Sequence, residues 1–175
     1  MATFDLPVVQ QLSTAGDGTG TVEMVGNYSS TATEFSVDGP TAPEDYLYLE
    51  RILIFVQDTG VFDAEGWANM GTLTNGIDLK VVNAADETLV QLTPAPIKSS
   101  GDLAALCHDV VFADYGTGEN YATARWTFTK FTPDGLVLNA GEKLVATLHD
   151  NMSSLTKQRM TVQGYLQTGN LSTNY

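Results

Sequence analysis

The sequence predicts an all-β protein: one antiparallel β-sandwich, jelly-roll-like, of about eight or nine strands with one short helix. Three observations lead there. The stretch Tyr46–Asp58 (YLYLERILIFVQD) alternates side chains with a period of two, and both sets are apolar over Ile52–Val56. Shorter alternating runs recur along the rest of the chain, separated by Gly, Pro, Asn and Asp clusters. Helical spacing of apolar residues shows in a single segment, Ser99–His108.

Tyr46–Asp58 sets the scale. Thirteen residues at roughly 3.4 Å each reach about 44 Å, well beyond the usual strand of about 5–6 residues. Tyr46, Tyr48, Glu50, Ile52, Ile54 and Val56 fall on one side and Leu47, Leu49, Arg51, Leu53 and Phe55 on the other. A strand apolar on both sides is expected inside a sandwich or against another chain.

The remaining elements follow in chain order. Residues 1–20 read as an N-terminal arm, with Phe4, Leu6, Val8 and Val9 apolar, Pro7 limiting pairing, and GDGTG closing the segment. The sandwich proper is expected over residues 21–167. Val22 and Met24 alternate in Thr21–Val25, as do Phe35 and Val37 in Glu34–Asp38; GPTAPED (Gly39–Asp45) leads into the long strand. Phe62–Met70 forms a loop carrying Trp67, and Asn75-Gly76 is a turn into the strand Ile77–Val82. A loop at Asn83–Glu87 leads into Thr88–Leu92, which Pro94-Ala-Pro96 ends. Ser100 is the N-cap of the helix candidate, with Asp102 in its first turn and Leu103, Leu106 and Cys107 at helical spacing. Tyr121–Phe131 reads as a strand with Ala124, Trp126 and Phe128 on one side. Pro133-Asp-Gly135 turns into Leu136–Leu138, and Glu142–Asp150 and Met160–Leu166 close the set. Residues 168–175 (TGNLSTNY) are a polar, uncharged tail ending in Tyr175.

Composition narrows the function. The formal net charge is −13. Residues 1–79 carry twelve acids and one base, Arg51; residues 80–175 carry nine acids and seven bases. Nucleic acids and acidic membranes are bound through Lys and Arg, so neither is an expected partner. The acidic half is either a solvated, self-repelling surface or a patch complementary to a basic partner. A lone cysteine, Cys107, forms no internal disulfide, in keeping with folding in a reducing cytoplasm. The N-terminal stretch lacks the basic n-region of a secretory signal, and no segment has the run of about 20 apolar residues that spans a bilayer.

No motif supplies a catalyst, and no cofactor is expected. His108 and His149 each precede an aspartate, Asp109 and Asp150, and would make a two-His, two-carboxylate site only if the fold joined them. Asp58, Asp63 and Glu65 fall in one loop without the spacing of a helix–loop–helix calcium site. No G-x-S-x-G elbow or phosphate-binding loop occurs, and Cys107 reads as a small buried hydrophobe on its helix. Trp126 reads as core. Trp67 either caps the sandwich edge or stacks on a sugar or a partner.

Several segments together resemble a known family. Glu50-Arg51-Ile52, Asp58-Thr-Gly60, Leu73-Thr-Asn-Gly-Ile77, Pro96-Ile97-Lys98, Arg125-Trp126-Thr127-Phe128, Glu142-Lys143-Leu144, His149-Asp150 and Val162-Gln163-Gly164 are similar to small jelly-roll virion proteins of tailed bacteriophages, of the capsid decoration or cement type. The resemblance covers residues 45–167 and transfers no catalytic residue. It implies a non-enzymatic capsid-stability protein of the virion surface, synthesised in the host cytoplasm. Such a homo-oligomer bridges neighbouring copies of the major capsid protein and stabilises the shell against internal DNA pressure. Phe4, Leu6, Val8, Val9, Trp67 and Tyr175 are the candidate partner-binding residues. The alternative is a tail-associated receptor-binding or carbohydrate-binding sandwich contacting a surface glycan, with Trp67, Tyr115 and Tyr121 as platforms.

Overall fold

The computed structural model describes residues 5–15, 24–26, 33–58, 75–98, 102, 106, 109–113, 120–130, 132–149 and 157–169. These contain eleven strands: β1 (Asp5–Ala15), β2 (Met24–Gly26), β3 (Thr33–Asp38), β4 (Tyr46–Asp58), β5 (Ile77–Val82), β6 (Thr88–Gln91), β7 (Asp109–Ala113), β8 (Asn120–Thr127), β9 (Leu136–Leu138), β10 (Lys143–Leu148) and β11 (Lys157–Gln167). The larger sheet runs β1-β11-β4-β8-β7, with β9 also pairing with β4; the smaller runs β2-β3-β10-β5-β6. All pairings are antiparallel. With β2, β7 and β9 set aside, the order is β1-β11-β4-β8 facing β3-β10-β5-β6. Successive strands of these eight change sheets at every step except the β5–β6 hairpin, which is the winding of a jelly roll.

The core lies between the sheets. Leu49, Ile52, Ile54, Trp126, Met160 and Val162 from the larger sheet meet Phe35, Val37, Ile77, Leu79, Leu144 and Leu148 from the smaller, all buried. Fully burying side chains of this kind contributes about 1.5–3 kcal/mol each, enough to hold a sandwich without covalent cross-links.

Strand β4 departs from strict alternation. Leu47 and Leu49 are in the core, and so are Ile52 and Ile54, so the inward positions change from odd to even. The slip occurs where the pairing with β11 shifts: Arg51 is opposite Gln163, Leu49 is opposite Gly164, and Glu50 has no partner. The other edge of β4 changes neighbour at the same place, from β8 (Arg51–Asp58) to β9 (Leu47–Leu49). One extra residue in a bulge turns every later side chain over. Glu50 and Arg51 therefore both lie between inward-facing Leu49 and Ile52, on the side away from the core.

Other sequence expectations are corrected. Residues 5–15 are not a free arm: β1 pairs with β11 through eleven residues, Pro7 opposite Tyr165. Proline is tolerated there because β1 is an edge strand, with a ladder on one side only. The expected strand Tyr121–Phe131 ends at Thr127, and Phe128–Lys130 forms a 3-10 turn that still buries Phe128. Strand β7 had no strong alternation to announce it. Of the expected helix Ser99–His108 only Asp102 and Leu106 are described; the rest lies outside the described residues. Asn75-Gly76 turns as expected, with Gly76 at φ 86° and Ile77 paired to Ile97 through both backbone hydrogen bonds.

Candidate functional site

The two sheets differ on the faces they turn away from the core. On β3 and β5 of the smaller sheet the outward positions are polar: Glu34, Ser36, Asp78 and Lys80 alternate with buried Phe35, Val37, Ile77 and Leu79, while the edge strand β6 carries Leu89 and Val90, 49% and 47% exposed. That is the pattern of a sheet with one wet face. On the larger sheet the outward positions of β4 are Tyr46, Tyr48, Glu50, Arg51, Leu53 and Phe55. Of these Tyr46 is 38% exposed, Glu50 is exposed and the others are half-buried. Strand β4 is the centre of this sheet, so its outward row runs down the middle of the face.

Cross-strand register builds the face around that row. Tyr48 is opposite Tyr165 of β11, and their rings stack at 4.7 Å with an 8° interplanar angle. Tyr46 extends the row, its ring 6.5 Å from that of Tyr48 and tilted by 52°. Leu53 is flanked by Arg125 of β8 and Thr161 of β11. Arg51 is flanked by Thr127 and Gln163, and its Nε donates a hydrogen bond to the Gln163 side-chain oxygen. Arg51, Leu53, Arg125, Thr161 and Gln163 line a shallow groove of about 240 Å³. Among the described residues no carboxylate forms an ion pair with Arg51, nor any cation with exposed Glu50.

Two other places gather cavity space or polar side chains. A cavity of about 340 Å³ opens at the end of the sandwich, lined by Gln91, Leu92, Leu106, Trp126, Phe128, Thr132, Gly135 and Leu136. Among the described residues its lining bears no titratable group, and its one hydroxyl, on Thr132, donates to the Gly135 carbonyl oxygen at 2.6 Å. A polar cluster gathers at the end of β5. Asp78 accepts hydrogen bonds from the Thr93 hydroxyl at 2.7 Å and from the Gln91 amide, and His149 Nε2 stands 4.0 Å from its other oxygen. A catalytic triad needs the histidine between hydroxyl and carboxylate. Here the Thr93 hydroxyl gives its proton directly to Asp78 and accepts the Leu79 N–H at 3.0 Å, so it acts as a strut for buried backbone.

Among the described residues the sequence-derived metal candidates do not form a cluster. Asp109 is on β7 of the larger sheet, opposite Arg125, whereas His149 follows β10 of the smaller sheet; His108 and Asp150 lie outside the described residues. Asp58 ends β4, and Asp63 and Glu65 lie outside the described residues. Among the described residues no group of three or more His, Cys, Asp or Glu side chains is placed to hold a metal ion. No helix there is long and apolar enough to cross a membrane.

Of the candidate contact residues, Leu6, Val8 and Val9 sit in β1 opposite Leu166, Gly164 and Gln163. Phe4, Trp67 and Tyr175, with Tyr115, lie outside the described residues, and Tyr121 is in β8. Sequence reasoning missed the row Tyr48, Leu53, Phe55 and Tyr165 as a site. The signal was present in Glu50-Arg51, two charged residues interrupting an apolar strand. Strict alternation assigned them to opposite faces, where the bulge puts them on one.

No protein-family model matches this chain, and no curated protein does. Among solved structures the chain is similar to an exo-β-1,3-galactanase from Phanerochaete chrysosporium, crystallised with galactose, at 11% identity and a TM-score of 0.26. That alignment covers 93% of this chain and 30% of the galactanase chain.

Proposed function

We propose that this chain is a non-enzymatic structural protein of a phage particle. It is a decoration or cement subunit that adheres to the outer capsid shell and to its own copies through the outward face of the larger sheet. The observation that supports this reading is the row Tyr48, Leu53 and Phe55 on that face, where a wet antiparallel sheet would be polar. Tyrosine and phenylalanine are among the side chains that protein interfaces favour. The protein then works by burying area: each apolar Å² withdrawn from water contributes about 25 cal/mol before the costs of association. Bridging neighbouring capsid subunits needs rigidity, and a jelly roll with a 13-residue central strand supplies it.

A density map of the assembled particle tests this reading. The larger sheet's outward face is expected to lie against protein density and the polar face of the smaller sheet against solvent. The reverse placement, or a protein missing from the particle, contradicts it.

A second reading has its own support in the tyrosines. Tyr46, Tyr48 and Tyr165 form an aromatic row of the kind that stacks on sugar rings, which favours a receptor- or glycan-binding module. Glycan-array binding that Tyr46→Ala removes would select it over the first.

A further inference from the structure

We infer that the outward face of the larger sheet is self-complementary and that its occupant is a second copy of this chain, packed face to face about a two-fold axis beside Glu50 and Arg51. This rests on the reading of that face as a contact surface and adds the partner, the symmetry and the residues that set the register.

Charge is the first support. Arg51 is the only base among residues 1–79, which carry twelve acids, yet it forms no ion pair among the described residues. Its neighbours across the sheet, Gln163 and Thr127, are neutral. Glu50 stands next to it, exposed, and is also without an ion-pair partner there. The bulge sets both on the side away from the core. A contact about a two-fold axis pairs residue i with j and j with i. With the two β4 strands antiparallel, Glu50 of each copy meets Arg51 of the other, and two ion pairs form where the described residues of one chain supply none. A foreign partner would have to match an acid and a base at adjacent positions; a second copy carries that match by construction.

Area is the second support. Five strands of 11, 11, 13, 8 and 5 residues, at about 3.4 Å per residue and about 4.8 Å per strand, give a face of roughly 780 Å², close to the ~800 Å² per partner of a standard stable interface. Leu53, Phe55 and the Tyr48–Tyr165 stack supply the apolar part of that contact, and flat sheet faces pack well at a spacing of about 10 Å. Net charge opposes the association, since each copy carries −13, so the paired charges are needed for register and to offset repulsion at the seam.

A charge-swap series read by sedimentation velocity tests this, over about 1–200 µM protein at about 0.15 M salt. The wild type is expected to dimerise in that range. Glu50→Arg and Arg51→Glu each put like charges at the seam and are expected to raise the dimer Kd at least about tenfold. The double swap, Glu50→Arg with Arg51→Glu, restores opposite charges and is expected to return the Kd to within about threefold of wild type. Glu50 is exposed, so Glu50→Arg keeps the test valid if Arg51→Glu fails to fold by circular dichroism. A wild type monomeric throughout, or a double swap no tighter than either single variant, overturns the proposal. Leu53→Asp separates the two readings. If the wild type is monomeric but Leu53→Asp still abolishes attachment to particles, the second copy is wrong and the contact face stands. If attachment is unaffected as well, both fall.

Discussion

Glu50 decides more of this molecule than its exposed position suggests. As the unpaired residue of the bulge it changes which side chains of β4 face inward, so Leu47 and Leu49 share a core with Ile52 and Ile54. Both parities of the strand looked apolar in sequence for this reason; only beyond Arg51 is the outward side truly apolar. Gly164 is the partner feature on β11. A Cβ there would fall 1.9 Å from the Tyr48 carbonyl oxygen, with the Leu49 Cα 3.1 Å away, so backbone would have to move. Gly164→Ala is expected to cost more than about 3 kcal/mol and to lower Tm by about 6–12 °C. A thermal melt within about 2 °C of wild type would show that the bulge is more pliable than its geometry indicates. Trp126 was legible at this scale: alternation with Ala124 and Phe128 marked it as core, and it is 2% exposed. The Tyr48–Tyr165 stack was not, because it joins residues 117 positions apart and depends on the register of β4 against β11.

Elements with strong local punctuation were read correctly from sequence. Strands β4, β5 and β9 begin and end where turn residues and alternation placed them. Strand β1 was not legible, because pairing through eleven residues overrides the local signals of Pro7 and the glycines beyond Ala15. The turn at Phe128–Lys130 was hidden because Phe128 continues the inward alternation of β8 while its backbone has already left the strand. The β5–β6 hairpin carries a test of its own. Asp86 sits at φ 62° in the connecting turn, and its carboxylate is 2.6 Å from the Lys143 ammonium of β10. The hydrogen bond from Lys143 holds the Asp86 carboxyl below its ordinary 3.8, and the same bond raises Lys143 above 10.5. A depressed carboxyl stabilises the fold above the unfolded value and ceases to do so as pH falls through the folded one. Asp86→Asn, which tolerates the same backbone, is expected to lower Tm slightly at pH 7, and the gap to wild type should close below about pH 3.8 and in about 1 M salt. A gap that persists at about pH 2.5 would assign the effect to the turn and not to the ion pair.

At the scale of the whole molecule, two sheets of similar build present different surfaces. The smaller sheet shows polar Glu34, Ser36, Asp78 and Lys80, with exposed Leu89 and Val90 on its edge strand; the larger shows Tyr48, Leu53, Phe55 and Tyr165 among Arg51, Arg125, Thr161 and Gln163. The jelly-roll winding makes both faces rigid, since each strand in the middle of a sheet is held by two ladders and a core. Contact between surfaces is the use proposed for this slab. The site itself was only half legible in advance, because which side chains of β4 share a face depends on a one-residue slip that alternation cannot show.

The most direct measurement of the proposed capsid attachment is occupancy on capsids lacking this protein and incubated with wild type, Leu53→Asp, or Lys80→Asp as a control on the opposite face. Lys80→Asp is expected to bind as wild type does, and Leu53→Asp, with its fold confirmed by thermal melt, to lose at least about tenfold in occupancy, as burying an unpaired charge at an interface requires. Equal occupancy for all three would contradict the assignment of the larger sheet's outward face as the surface through which this protein works.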